Sequence, residues 1–413
     1  MGMMRRFRAG SVVKAIQGMV PLSLAMSSSI GLAKVDVAGF TEMGYEYDDK
    51  AVTGVSRHEK GGSFYIGDLD LFMQGNLGDN FYWLSETAFS AGTTNFTGID
   101  VERAIISYKP KDYFNVSLGR FHTALGYWND TYHHGNWLAT SVARPYIYNF
   151  EDANGILPIH SVGLEIRGVF NSSFGYIINL ANGRGATPSP VQIASDGNNN
   201  KAANILLYWN TPLKGLRVGA GYYRDKIPLL NADASVESST GGFAYAPHNG
   251  ANENIANAHI VYKGHNIEFI NEYHQIVHKY DADNTVAAQN DVKTTVTSYF
   301  SQLGYQIHDV YTPYVRTESI TGDKKSDEWY MADAAGNPLG KNLKHTINSV
   351  GIRYDLSDVV ALKFELAQDK LSNFYGTGYV PAGPGGKPDA VQPVYSTATQ
   401  TTNAVRANVS FAF

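Results

Sequence analysis

The chain of 413 residues carries 33 basic and 38 acidic side chains for a formal net charge of −5, with 12% aromatic residues and no cysteine. An apolar fraction of 43% excludes a disordered chain, and the acidic balance argues against a nucleic-acid partner. The absence of Cys removes disulfide scaffolds, thiolate zinc sites, catalytic thiols and covalently attached haem together.

Residues 1–33 read as a secretory signal peptide. Arg5, Arg6, Arg8 and Lys14 form a basic start without one acid, and a small, apolar stretch runs from Ala15 to Met26. Ser27, Ser28 and Ser29 follow, and Gly31-Leu32-Ala33 puts small residues at the −3 and −1 positions of a cleavage site before Lys34. Gln17 and Pro21 interrupt the apolar run, which is too short for a helical membrane span. Removing these four positive charges takes the net charge from −5 to −9. No later stretch offers about 18 consecutive apolar residues.

Residues 34–413 read as one domain of alternating strands. Leu69, Leu71 and Met73 oppose Asp68, Asp70 and Gln74; Leu164, Ile166 and Phe170 oppose Glu165 and Arg167. Val350, Ile352 and Tyr354 oppose Ser349, Gly351 and Arg353, and Leu362, Phe364 and Leu366 oppose Ala361, Lys363 and Glu365. The last strand sets Val405, Ala407, Val409, Phe411 and Phe413 against Arg406, Asn408 and Ser410. A period of two gives each strand one greasy and one polar face.

The connections alternate in length. Short turns fall at 78–80, 110–112, 171–173, 212–215, 263–265, 308–309 and 355–358. Long polar stretches fall near 48–61, 91–98, 122–154, 184–203, 228–252, 279–291, 319–341 and 371–399. Together they join sixteen strands, and an even count puts both chain ends on the short-turn side. Short turns on one rim and long loops on the other mark a transmembrane barrel. The expected fold is therefore all-β, an antiparallel transmembrane β-barrel of about 16 strands. Aromatics such as Tyr45, Tyr47, Trp83, Tyr108 and Phe413 are candidates for the interfacial girdles.

The third long connection, about 122–154, stands apart from the other loops. It carries Tyr127, Trp128, Tyr132, Trp137, Tyr146, Ile147, Tyr148 and Phe150. That much apolar surface needs shelter, and the barrel lumen is the nearest. It is expected to fold inward as the constriction, with Arg120, His122, Tyr127, Asp130, His133, His134 and Arg144 as candidate constriction residues. If polar faces point inward, Asp68, Asp70, Glu86 and Glu272 line one part of the pore and Arg103, Arg167, Arg353 and Arg406 another. Opposed acidic and basic walls would produce a transverse field, and the plain alternative is pairing that merely stabilises the wall. With the net charge of −9, a weak cation preference or none is expected.

No metal, other cofactor or catalytic group is expected. His133 and His134 are adjacent and diverge on extended backbone, and His274 and His278 are four apart on a strand, about 13 Å. No Gly-rich phosphate loop opens a helix and no nucleophile elbow is present, so the chain does not read as an enzyme.

The run Val116-Ser117-Leu118-Gly119-Arg120-Phe121, continued by His122-Thr123-Ala124-Leu125-Gly126, resembles the strand-to-loop motif of phosphate-selective-porin-like outer-membrane proteins. In that family a glycine, a basic residue and Phe lead into a segment with Pro and then Gly; Ala124 stands where Pro is usual. Between Arg120 and His160 the fixed charges are Arg120 and Arg144 against Asp130, Glu151 and Asp152, without the cationic excess of a phosphate selector. The terminal Phe413 resembles the assembly signal of bacterial outer-membrane barrels. The resemblance implies a Gram-negative outer-membrane porin, exported through the periplasm and bathed in lipid and lipopolysaccharide. It would pass small hydrophilic solutes or ions by diffusion, with a homotrimer following by analogy. The alternatives are a barrel sheath around a separate multihaem cytochrome, or a non-conducting structural or adhesive barrel.

Overall fold

The computed structural model describes residues 34–49, 61–91, 97–133, 135, 137–150, 156–185, 199–229, 248–285, 287–323, 344–372, 374–379, 391–396 and 399–413. The signal-peptide reading lies outside them. The strands are β1 (Val35–Asp48), β2 (Gly61–Ile66), β3 (Leu69–Gly78), β4 (Phe81–Ala91), β5 (Thr97–Lys111) and β6 (Phe114–His122). After the third connection come β7 (His160–Phe170), β8 (Phe174–Ala181), β9 (Ala202–Asn210), β10 (Leu216–Ile227), β11 (Ala251–Gly264) and β12 (Ile267–Tyr280). The last are β13 (Lys293–Tyr305), β14 (Tyr311–Gly322), β15 (Lys344–Ser357), β16 (Val360–Ser372), β17 (Phe374–Tyr379), β18 (Val391–Ser396) and β19 (Gln400–Ala412).

Neighbours in sequence pair antiparallel, and β1 pairs β19 to close the sheet. β2 and β3 both pair with β1, at its upper and lower halves, and together make one barrel strand broken at Gly67-Asp68. The barrel is therefore a closed antiparallel sheet of 16 strands. One difference from the sequence reading lies in 371–399, taken there as a plain polar loop: β17 and β18 pair as a separate hairpin within it.

The outer wall is apolar in register. Val350 pairs with Leu366 and Leu366 with Val405; Ile352 pairs with Phe364 and Tyr354 with Leu362. Val350, Ile352, Leu362, Phe364 and Leu366 are all exposed. Only closed barrels and helices satisfy their backbone in hydrocarbon, and among the described residues no helix is long and apolar enough to cross. Near the short turns, Tyr311 stacks on Tyr354 (4.8 Å between centroids) and Phe174 on Trp209 (5.7 Å), and Phe81 lies tilted against Tyr108 (4.9 Å), forming an aromatic rim. The turns themselves place two consecutive residues at positive φ, as in Asn171-Ser172, His265-Asn266 and His308-Asp309. That left-handed pair matches the twist of a tight hairpin. At the seam, Gly39 and Phe413 exchange two backbone hydrogen bonds of 2.9 Å, and the Phe413 ring lies where a Cβ on Gly39 would stand.

The inner wall departs from the sequence reading in two ways. It is not uniformly polar: Ile255, Ile270, Ile276, Val296, Phe300 and Ile320 are buried inside the barrel and pack against the third connection. Nor are acids and bases segregated on facing walls. Arg406 reaches Glu46 (2.7 Å) and Glu365 (3.2 Å), Arg103 pairs with Glu86, Lys263 with Glu268 (3.0 Å) and Arg353 with Asp355 (2.8 Å). The partners sit on the same or adjacent strands, where cross-strand geometry brings opposite charges together.

A charge placed in the apolar belt tests the assignment of faces. Val350→Arg should destabilise the folded barrel by about 2–4 kcal/mol in urea titrations in lipid vesicles, the cost of Arg near the bilayer midplane. An unchanged midpoint would mean that this face does not meet lipid.

Candidate functional site

Between β6 and β7 the chain forms a short helix, α1 (Gly126–Thr131), and a single 3-10 turn at Tyr146–Tyr148. Glu272 on β12 holds the start of α1, accepting from the N–H groups of Tyr127 and Trp128 at 2.8 Å each. A carboxylate there satisfies helix donors that have no intrahelical partner. The Tyr148 hydroxyl donates to the same carboxylate at 2.7 Å. Desolvation, reinforced by Glu272, holds that phenol well above its ordinary range, so it remains a donor. Gly126 has φ +84°, and a Cβ on it would collide with the Glu272 carboxylate and the Tyr148 hydroxyl. The position accepts only glycine.

Further along, inner-wall groups from three more strands bind the loop backbone. Glu318 on β14 accepts from Tyr146 N–H at 2.6 Å, and Arg316 donates to the Ala143 carbonyl at 2.7 Å. Arg353 on β15 donates to the Trp137 (2.5 Å) and Ala139 (3.0 Å) carbonyls, and Lys363 on β16 to Ser141 (3.3 Å). The side chains of Leu125, Trp128, Ile147, Tyr148, Leu157 and Ile159 form one buried cluster with the apolar inner residues of β11 to β14. Trp137 packs with Phe40 and Ala412, at the seam.

The sequence candidates are distributed around this loop. Asp130 pairs with Arg167 (3.2 Å), which also binds Glu165 (2.6 Å). Arg217 and Lys263 stand over the Tyr127 ring at 5.7 and 5.9 Å, and Arg144 lies on Phe150 at 3.6 Å. Arg120 is buried and donates to the Glu102 carbonyl at 3.3 Å. Asp70 is buried on β3, whereas Asp68 is half-buried at the break between β2 and β3. His122 stacks on His133 with centroids 3.4 Å apart. His134, Glu151 and Asp152 lie outside the described residues.

Sequence reasoning missed Glu102, His160, Asn129, Glu318 and Glu365. Strict alternation separates Glu102 from Arg103, but the pairing of β4 with β5 skips one residue there, from Arg103 to Val101. The bulge lets Arg103 reach Glu86 while Glu102 contacts His160 at 2.6 Å. Asn129 joins the loop to both flanking strands, its amide donating to the Thr123 (2.8 Å) and Ile159 (3.0 Å) carbonyls. No spacing pattern announces such a residue.

Comparison with solved structures places the architecture. OmpT, an outer membrane protein of Vibrio cholerae, superposes with a TM-score of 0.58 at 11% identity, over 95% of this chain and 100% of that one. The anion-selective porin from Comamonas acidovorans gives 0.58 at 14% identity over 92% and 100%. The outer membrane channel DcaP of Acinetobacter baumannii gives 0.59 at 12% identity over 94% and 100%. The fold is that of outer-membrane porins. At these identities the likeness is one of fold, and the sequence resemblance to phosphate-selective-porin-like proteins remains confined to residues 99–128. No protein-family model matches the chain, and no characterised protein matches it significantly in sequence.

Because Glu272 serves two backbone N–H groups and one hydroxyl, Glu272→Ala should cost about 2–5 kcal/mol locally. Hydrogen exchange should speed up over residues 125–131 while the β11–β13 ladder stays protected. Unaltered exchange in α1 would show that the carboxylate does not anchor it.

Proposed function

We propose that the chain is an outer-membrane porin, a passive channel for small hydrophilic solutes or ions, with the third connection as its constriction. The observation that carries this reading is a closed barrel with an apolar outer wall and partly exposed charged side chains inside it. Arg103 and Arg167 retain 28% and 37% of their side-chain exposure although both are ion-paired, as expected of groups bordering water. About sixteen strands leave an aqueous lumen unless something narrows it, and residues 123–148 contact inner groups from four strands across from β6.

The paired charges support weak ion selectivity, with the acidic net balance inclining it toward cations. The motif at 116–126 favours porin architecture and carries no phosphate preference, since the segment lacks a cationic excess. Trimers are in keeping with the reading, because the similar OmpT occurs in a trimer form. A sheath around a cytochrome loses support, because such a partner would have to displace the hydrogen bonds that Glu272, Glu318, Arg353 and Lys363 make to the loop.

Planar-bilayer recordings of the purified protein should show discrete conductance steps with a near-neutral to weakly cation-selective reversal potential. Absent steps would sink the porin reading, and strong anion preference would refute the charge argument. Arg167→Glu should shift the reversal potential further toward cations. Deleting residues 128–148 should raise the unit conductance if they narrow the pore; no change in a folded variant would place them outside it.

A further inference from the structure

Four buried groups, two of them the constriction candidates His122 and His133, meet where the third connection joins the barrel wall. Glu102, His122, His133 and His160 bring their candidate ligand atoms within 4.8 Å of one another. Three independent pieces of backbone geometry assemble them. The β6–β7 ladder sets His122 directly opposite His160, the bulge in β5 supplies Glu102, and the turn after α1 delivers His133, a left-handed residue at φ 36°.

The hydrogen bonds make this cluster rich in acceptors. Asn129 spends its amide hydrogens on the Thr123 and Ile159 carbonyls, so its Oδ1 faces His133 Nδ1 at 2.8 Å. An amide oxygen only accepts, so His133 Nδ1 carries a proton, and in the neutral ring Nε2 then presents its lone pair. That Nε2 stands 2.9 Å from His160 Nε2 and 3.4 Å from Glu102 Oε2, while His160 Nε2 is 2.6 Å from the same carboxylate oxygen. His122, only 9% exposed, has an Nε2 without a hydrogen-bond partner among the described residues, its near carboxylate oxygen on Glu86 being 3.6 Å away. A cation at the centre would give the buried His122 Nε2 a partner.

We propose that Glu102, His122, His133 and His160 bind one divalent transition-metal ion, Zn²⁺ foremost, which clasps the third connection to the barrel wall. Three imidazoles and one carboxylate suit zinc and its neighbours in the first transition row. Ligand atoms about 2.0–2.1 Å from a tetrahedral zinc lie about 3.3 Å apart; the spacings of 2.6, 2.9 and 3.4 Å among Glu102, His133 and His160 are near that, and His122, within 4.8 Å of the others, would turn in from its stack on His133. The divalent charge also compensates the buried Glu102 carboxylate. Asn129 fills the role of the outer partner that orients a metal-bound His through its other nitrogen. The clasp would join strands β5, β6 and β7 to α1 through four side chains. It does not depend on the chain conducting anything.

The test uses the untagged full chain, purified in detergent and stripped with a chelator. Titration with Co²⁺ should give the intense visible bands of tetrahedral coordination at one equivalent, and Zn²⁺ should abolish them with the same stoichiometry. His133→Ala and Glu102→Gln should each remove the bands, and Asn129→Ala should weaken binding about 10–100-fold. Retained heat-modifiable mobility on gels would show that each variant folds. Zn²⁺ should also slow hydrogen exchange over residues 123–133 in the wild-type protein. A wild-type titration with no Co²⁺ spectrum, or bands that survive in both folded His133→Ala and Glu102→Gln, would overturn the proposal whatever the bilayer recordings show.

Discussion

A backbone that crosses hydrocarbon must satisfy every N–H and C=O within itself, and the closure of β1 onto β19 is where this chain meets that demand. Nine register pairs from Phe40–Ala412 to Asp48–Ala404 complete the ring. The terminal Phe413 adds two backbone bonds to Gly39. Without this seam, the two terminal strands would present open edges to lipid, and no outer apolar belt could offset their unpaired groups. The belt, the aromatic rim and the inner polar face all follow once the ring is closed, because a pleated strand has only two faces to divide between lipid and interior.

Closure at sixteen strands creates a second problem, since side chains alone cannot fill so wide an interior. Described residues of the third connection pack against that interior. The loop carries its own hydrophobic surface, and the inner walls of β11 to β14 reply with Ile255, Ile270, Val296 and Phe300 in place of polar residues. Burial of these groups resembles the core of a water-soluble domain built inside a barrel. Buried carboxylates and guanidinium groups fix the loop's register by bonding its backbone, as Glu272, Glu318 and Arg353 do. Apolar burial supplies adhesion that is indifferent to direction, while these charged hydrogen bonds are directional and choose one arrangement.

Much of this architecture was legible in the sequence. The alternation at Val350–Tyr354 and Leu362–Leu366, and the alternating long and short connections, gave the strand count and closed topology, because period two is a local property. The aromatic richness of residues 127–150 marked the third connection as a loop in need of shelter for the same reason. Inner-wall chemistry was less readable. Ile270 and Ile276 share a face with Glu272 and His274 on β12, and a polar-inside rule cannot see the loop that makes apolar residues acceptable there. The expected separation of acidic and basic walls failed because it followed chain order, whereas Arg406 reaches Glu46 across the seam, from the other end of the chain.

The four-residue cluster at Glu102 shows where local patterns stop. Spacing along the chain addressed only His133 and its neighbour His134, whereas His133 meets Asn129 of its own loop and Glu102, His122 and His160 from β5, β6 and β7. Length, alternation and composition determined by themselves that this is a barrel with an unusual third loop, since each strand's two faces are written in consecutive residues. Which side chains meet inside was decided by the tertiary structure alone: a one-residue bulge at Glu102, the register that sets His122 opposite His160, and the path of the loop are outcomes of closing the ring.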